Sequence, residues 1–542
     1  MNTTDTTAEI HSVSIDTRIA EHLATLDRKH AIARLLQRDG NLFSDNVDVA
    51  KSVRNRLGWL FYVQAMKDEV ERLVILARVV ERQGYKQVLV IGMGGSSLFP
   101  EVVATHLQGR RGLPIRIVDT THPEAIGSVI AWSRAQKTLF IVATKSGGTV
   151  EPISIYRTLR AIFPSGADFV AVTDPGSGLQ TMAQEEGFRD IFLNPADIGG
   201  RFSAGSLFGL VPAALAGVVL HDAIARIEDM LVACTEDPAA LNPGAQLGAF
   251  LAASHNMGRW QLRLSLGKDV RAFGGWIEQL IAESTGKHAT GLLPVLGGVL
   301  GSGAELGAKL QHACVVSLTT FAHPDDEFVA RAQEAGVPTQ AFVMPEVDDL
   351  WTEIVRWEMA TALCGLLLDI NPFDEPDVTS AKTATNGLLS GTLAPVEPDR
   401  RVRIERFVEM PAALAPELAQ LRADDYLAVL CYVQPTTQNL QRLESLRQAL
   451  QAKTDAAVTV QIGPRYLHST GQYHKGGMAR GLFVVADDFG RFGVDVPDIA
   501  IPQASFSFAQ LVTAQALGDV AVLKTRGKPV IAVELAVASA KA

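Results

Sequence analysis

From about Asp16 to Gln83 apolar residues recur at three- and four-residue spacing, with Leu23, Leu26, Ile32, Leu35 and Leu36 in one set and a second set between Leu60 and Val80. Charged residues fill the gaps, so this stretch predicts amphipathic helices packed on whatever follows. At Gln87 the period changes. Residues 87–91, 115–119, 139–143 and 168–172 are short β-branched or apolar runs, with helical patterns between them, one near 100–107. Strands alternating with helices predict right-handed crossovers and an α/β fold with an open, mostly parallel, doubly wound sheet. A second such unit follows from about Val295, with strands at 314–321 and 340–343 and a long apolar helix at 350–368. Residues 383–418, rich in Pro, Ala and Gly, read as a connector. Strands at 426–432 and 458–462 then open a third module. The divisions expected are a helical extension at 1–84, α/β units at 85–225 and 226–395, and a C-terminal α/β module at 396–542. The stretch from Pro502 to Gly518 echoes that from Pro345 to Gly365, each running from a proline into an apolar helix that meets a glycine, as a partial duplication would leave.

Two of the turns that follow strands carry candidate chemistry. The run 139–143 breaks into Thr144, Lys145, Ser146, Gly147, Gly148 and Thr149 before a helical segment begins at Val150. The first N–H groups of a helix lack intrahelical acceptors and its macrodipole places partial positive charge there, so this turn suits an anion. An ordinary N-cap, with Ser146 or Thr149 satisfying orphan amides and Glu151 facing the dipole, accounts for the same residues. A second turn of similar make, Gly92 to Ser97 (GMGGSS), tips the balance toward the anion. Both turns fall beyond the carboxyl ends of their strands, where open α/β sheets bind ligands. The first of them also imitates a dinucleotide fingerprint, with Gly92, Gly94 and the acid Asp119 on the next strand. Ser97 stands where the third glycine would be, and the extra hydroxyls favour direct phosphate contact.

The formal charge of -10 argues against a nucleic-acid partner, because such binding needs basic surface to displace counterions. Any anionic substrate must therefore be held by local donors. Cys234, Cys314, Cys364 and Cys431 are far apart and form no Cys-x-x-Cys pair. They read as small buried hydrophobes in a reducing compartment, with neither a disulfide framework nor a zinc site. The opening MNTTDTTAEI lacks the basic and apolar regions of a signal peptide, and the longest apolar run, 207–220, is too short to span a bilayer and contains Pro212. A cytoplasmic protein with no membrane partner is expected.

Further along, Arg201 follows two glycines in DIGGRFS, which suggests close backbone approach around a site, although a lone arginine is usually a surface ion pair. Residues 276–283 read as a helix with an apolar face that ends at ESTGK, with Gly286 as a C′ residue and Glu283, on the bland reading, as a solvated terminal acid. Taken in order, GMGGSS, TKSGGT, DIGGRFS, ESTGK and NPFDEPDVTSAK resemble the glucose-6-phosphate isomerase family, which is built from paired sugar-isomerase domains. The nearest likeness is to the isomerase half of bacterial fused transaldolase and glucose-6-phosphate isomerase proteins. It covers about 88–382 and resumes at 467–477. Each segment alone is a weak match, whereas five in family order are specific.

The resemblance implies an aldose–ketose isomerase of sugar-isomerase fold that acts on a small sugar phosphate, needs no cofactor and no metal, and leaves a homodimer open. Ser96, Thr144, Lys145, Ser146 and Thr149 would hold the phosphate. Glu283 would be the base that moves a proton between C2 and C1 through an enediol, and Arg201 would stabilise the developing enediolate charge. Lys382 and His468 would handle hydroxyl protons in ring opening. One feature departs from the family order, in which a histidine motif lies between the ESTGK-like and NPFDEP-like segments. The matching LHSTGQYHK comes after both, and the histidines between Glu283 and Lys382, which are His288, His312 and His323, have no comparable context. Two other functions fit parts of the pattern. A noncatalytic sugar-phosphate sensor would need the cradle without Glu283 or Arg201, and an NAD-dependent oxidoreductase would use the Gly92, Gly94 and Asp119 set.

Overall fold

The three central strands of the first α/β region are buried along their whole length, as parallel strands covered on both faces must be. The computed structural model describes residues 14–109, 111–298, 303–324, 327–478, 480–488 and 498–535. Its first sheet contains β1 (Gln87–Ile91), β2 (Ile115–Val118), β3 (Thr138–Ala143), β4 (Phe169–Thr173) and β5 (Asp190–Leu193), all parallel, in the order β2-β1-β3-β4-β5. Side chains alternate across it. Val88 and Val90 enter the largest apolar cluster, while Leu89 and Ile91 enter another on the opposite face. The order reverses between β1 and β3, so the turns after these two neighbours open side by side at the switch point.

Helices Ile15–Arg28, Ala31–Leu36, Val47–Arg54 and Val63–Arg82 form the N-terminal segment. Met66, Val70, Leu73 and Val80 of the last helix sit in the same buried cluster as β1 and β3, so the segment is part of the core.

A second parallel sheet, in the order β7-β6-β8-β9, contains β6 (Gln261–Leu266), β7 (Leu293–Leu296), β8 (Ala313–Thr320) and β9 (Thr339–Met344). The long apolar helix is Leu350–Leu367. The third sheet, also parallel, has the order β10-β14-β13-β11-β12, with β10 (Arg400–Ile404), β11 (Asp425–Tyr432), β12 (Ala457–Ile462), β13 (Arg480–Asp487) and β14 (Val530–Leu535). The expected connector at 383–418 is not plain coil. The helix Val378–Leu389 runs into it, and its Arg-rich stretch is the edge strand β10.

Several contacts join the third sheet to the rest, among them an apolar cluster shared by Leu293 and Val295 of the second sheet with Tyr426, Ala428 and Leu430 of the third. Its helix Phe508–Thr525 places Phe508 and Leu511 against Leu89, Ile91 and Val118 of the first sheet. Its short helix Gly471–Gly476 meets the end of the helix Phe273–Thr285 at Gly286. Gly286 has φ −78°, so it is not a left-handed C′ residue. Close approach explains the glycine instead, since a Cβ there would lie 2.6 Å from Tyr473 Cα. Backbone cannot yield as a flexible side chain does. Gly286→Ala should therefore lower stability by about 1–3 kcal/mol, read as a lower urea midpoint with an unchanged slope.

Candidate active site

Most of the residues singled out above line a single cavity of about 340 Å³. Its wall includes Ser96, Thr144, Lys145, Ser146, Thr149, Arg201, Glu283, Lys382 and His468, together with Arg56, Asp174, Gln279 and Glu375. The first sheet supplies one end. After β3 the chain turns through Thr144 to Thr149 and enters the helix Val150–Ile162, whose first turn receives no side-chain cap from Thr149. Its leading amides are thus free to meet an anion. Thr144 Oγ1 and Thr149 Oγ1 lie 3.1 Å apart, and Ser146 Oγ accepts only a long 3.4 Å contact from the Gly148 N–H. Gly147, at φ +70°, brings the turn so near the next helix that a Cβ would sit 2.4 Å from the Leu179 nitrogen.

Lys145 lines the cavity, but its ammonium is ion-paired with Asp174 and donates to the Ala196 carbonyl at 3.0 Å. Burial outweighs that pairing and holds the Asp174 carboxyl above its ordinary range. Arg56, from the N-terminal segment to which the sequence assigned no chemistry, brings a second positive group to this end.

At the other end the helix Phe273–Thr285 points Glu283 into the cavity. This residue is not a solvated terminal acid, being 7% exposed. One carboxylate oxygen lies 3.1 Å from Arg201 Nη1 and the other accepts from Gln279 Nε2 at 3.1 Å. Gln279, one helical turn earlier, shares the face of Glu283. Burial pushes the Glu283 carboxyl up, and the Arg201 charge only partly opposes it. Arg201 is equally buried and also meets Glu375 at 3.1 Å, the Pro372 carbonyl at 3.0 Å and the Asp374 carbonyl at 3.2 Å. Lys287, which the sequence reading passed over within ESTGK, fixes that same loop. Its ammonium, wholly out of water, donates to the Asn371 carbonyl at 2.8 Å and to the Asp374 carboxylate at 2.7 Å.

The displaced histidine motif reaches the cavity within the same chain. His468 Nε2 lies 3.2 Å from Glu151 Oε1, and Glu151 also accepts from Gln515 Nε2 at 2.7 Å. Burial acts to raise the Glu151 carboxyl, but the neighbouring His468 leads the groups that hold it below its ordinary value. Lys382 is exposed at the cavity wall, near enough for its charge to act on Glu151.

Asp119, the acid of the dinucleotide reading, is buried and faces Arg465 at 3.4 Å. Ser97 hydrogen-bonds back to the Gly94 carbonyl. The arrangement offers no open carboxylate for a ribose. Among the described residues no three His, Cys, Asp or Glu side chains are grouped to hold a metal ion.

Residues 24–290, from the N-terminal helices through Glu283, match the family model for phosphoglucose isomerase. Over that stretch the chain is similar to the phosphoglucose isomerase family. Glucose-6-phosphate isomerase of Synechococcus sp. is 29% identical over 419 residues, covering 66% of this chain and 76% of the relative. The enzyme of that name from Carboxydothermus hydrogenoformans is 26% identical over 409 residues, covering 62% of this chain and 86% of the relative. In fold, the chain is similar to a hypothetical protein of Thermus thermophilus, with TM-score 0.56 and 22% identity over 70% of this chain and 97% of that one. It is similar also to a glucose-6-phosphate isomerase of Chlamydia trachomatis, with TM-score 0.54 and 16% identity over 70% and 87% of the two chains. Arg201 and Glu283 fall inside the stretch matched by the phosphoglucose isomerase family, whereas Lys382 and His468 lie beyond it.

Lys287 supplies a pH test of the buried clamp. Burial depresses its ammonium to about 8, against an ordinary value of 10.5. Between these values the unfolded chain holds more protons than the folded one, so this group's contribution to stability rises with pH across that window. Urea titrations should show wild type gaining on the order of 3 kcal/mol relative to Lys287→Met from pH 8 to 10.5. A flat difference would mean that the ammonium is not desolvated.

Proposed function

We propose that the protein interconverts D-glucose 6-phosphate and D-fructose 6-phosphate by ring opening and proton transfer through a cis-enediol. The observation that carries this reading is one cavity with an amide and hydroxyl cradle at one end and a buried carboxylate–guanidinium pair at the other. A sugar phosphate is an anion tethered to a reacting carbon chain, which matches that polarity.

In this reading Ser96, Thr144, Ser146 and Thr149 receive the phosphate with the leading amides of the helix Val150–Ile162, and Lys145 and Arg56 add positive potential. Glu283 takes the C2 proton and returns it to C1, since a carboxylate becomes a donor once protonated. Its desolvation makes it a stronger base than an exposed glutamate. Arg201 faces the charge that develops on the enediolate oxygens and needs no reorganisation, being fixed by Glu375 and two carbonyls. His468, oriented by Glu151, and Lys382 move the hydroxyl protons during ring opening. Every residue named comes from one chain, so a homodimer is not required to complete the site. The buried Glu283–Arg201 pair has no use in a noncatalytic sensor, and that favours the enzyme.

The finer placement, beside the isomerase half of fused transaldolase and glucose-6-phosphate isomerase proteins, rests on the likeness of the five segments. We place the protein in the cytoplasm on the nature of the reaction and on its four free cysteines. Among the described residues no helix is long and apolar enough to cross a membrane.

A coupled assay on purified protein, with EDTA present and no cofactor added, should show conversion in both directions. Glu283→Gln should keep substrate affinity and lose at least about a hundredfold in turnover, the scale of a lost general base. Near-native turnover would remove Glu283 from the mechanism.

His468 and Lys382 are separable from Glu283 by substrate. A four-carbon aldose phosphorylated on its terminal hydroxyl cannot close a stable ring. His468→Ala and Lys382→Ala should lose most activity on glucose 6-phosphate while still exchanging the C2 proton of the short aldose with deuterated solvent. Glu283→Gln should lose both. Normal isomerisation of glucose 6-phosphate by His468→Ala would take the displaced motif out of the chemistry.

A further inference from the structure

The seam between the second and third sheets holds charged groups that the reaction does not use. On β6, Leu262 and Leu264 enter the largest apolar cluster, so Gln261 and Arg263 face the other way. Arg263 is completely buried, and its Nη2 donates to Gln261 Oε1 at 3.1 Å. Its Nε and Nη1 have no acceptor, nor does Gln261 Nε2. Across the seam the helix Thr437–Gln451 delivers Arg447, also buried, whose Nε and Nη2 donate to Glu444 at 2.9 and 2.8 Å. Its Nη1 is buried without a partner. The side chain reaches the end of β7, where a Cβ on Gly297 would come within 2.9 Å of Nη2.

The two guanidiniums interact. Burial first, and then the charge of Arg447, depress Arg263 to about 9. Glu444, half exposed, pairs with Arg447, and among the described residues no carboxylate acts on Arg263, so the buried part of the seam carries positive charge in excess. The unpartnered atoms of Gln261, Arg263 and Arg447 are all nitrogen donors. An unmatched buried donor costs free energy, and an unmatched buried charge costs more. Water can accept from these nitrogens but cannot supply the missing negative charge.

We propose that this seam binds a small oxyanion of the inorganic phosphate or sulfate class, held by Arg263 and Arg447 and joining the second sheet to the third. Guanidinium donors suit such oxygens in number and in geometry. The site lies apart from the sugar-phosphate cavity, whose lining includes neither arginine.

Crystals grown without sulfate or phosphate and soaked in selenate locate the ion by anomalous scattering. A selenium peak within hydrogen-bond reach of Arg263 and Arg447 is expected, and water alone at those nitrogens would overturn the proposal. This arm does not depend on where the sugar phosphate binds. In solution, Ser146→Ala/Thr149→Ala weakens the cavity cradle. At constant ionic strength inorganic phosphate should still raise the thermal midpoint of that double variant by about 1 °C or more. Adding Arg447→Gln should abolish the rise, and a rise that survives would sink the idea. Arg263→Met removes a buried charge without creating an unpaired one. It should raise the midpoint in phosphate-free buffer, and a lower midpoint there would mean that the arginine is already satisfied.

Discussion

Arg201 cannot be taken out of water alone. Desolvating a guanidinium costs several kcal/mol, and the cost is recovered only where opposite charge and acceptors are already in place. Two segments distant from Arg201 in sequence supply them. Glu283 comes from the end of one helix, Glu375 and two carbonyls from the loop at 372–375, and Lys287 ties that loop from beneath. Each group would be prohibitive without the others, so the reacting end of the cavity is present as a unit or not at all. The same burial makes Glu283 basic, which couples the energetics of folding to the chemistry.

Close backbone approach is the second constraint, and it explains glycines that composition alone does not. Gly94 adopts φ +57°, and a Cβ there would meet Gln279 Nε2 at 2.7 Å and the His468 carbonyl at 3.2 Å. Gly95 lies against the Gly200 carbonyl, where a Cβ would come within 2.0 Å. The turn after β1 is thus pressed at once against the helix of Glu283, the loop of Arg201 and the histidine motif. Removing side chains from one turn allows three elements to converge on a volume fit for a single sugar.

The central strands of the first sheet were legible because they are covered on both faces and leave unbroken apolar runs, whereas its partly exposed edge strand β5 was not read. β6 was not, because Arg263 interrupts Leu262 and Leu264 and an arginine reads as surface. β10 was hidden for the opposite reason. It is an edge strand with exposed arginines, and it lies among the prolines and alanines of an apparent connector. The site residues came from motif order, and the fold brings them to one cavity. Arg56, Glu375 and Lys287 escaped notice, and Glu151 was read only as facing a helix dipole, because their importance lies in a partner far away in sequence. Gln279 had a local signal, four residues before Glu283 on one helical face.

His468 hangs from the last sheet, and the helix Phe508–Thr525 that packs on the first sheet supplies Gln515 to the acid beside it. A chain emerging from the ribosome would therefore carry the phosphate cradle, Arg201 and Glu283 long before it could present the histidine. The same late helix covers one face of the first sheet through Phe508 and Leu511, so the cradle's own sheet is not closed until the chain is nearly complete. Closure of the first sheet and delivery of the histidine are thereby one late event in the making of the molecule.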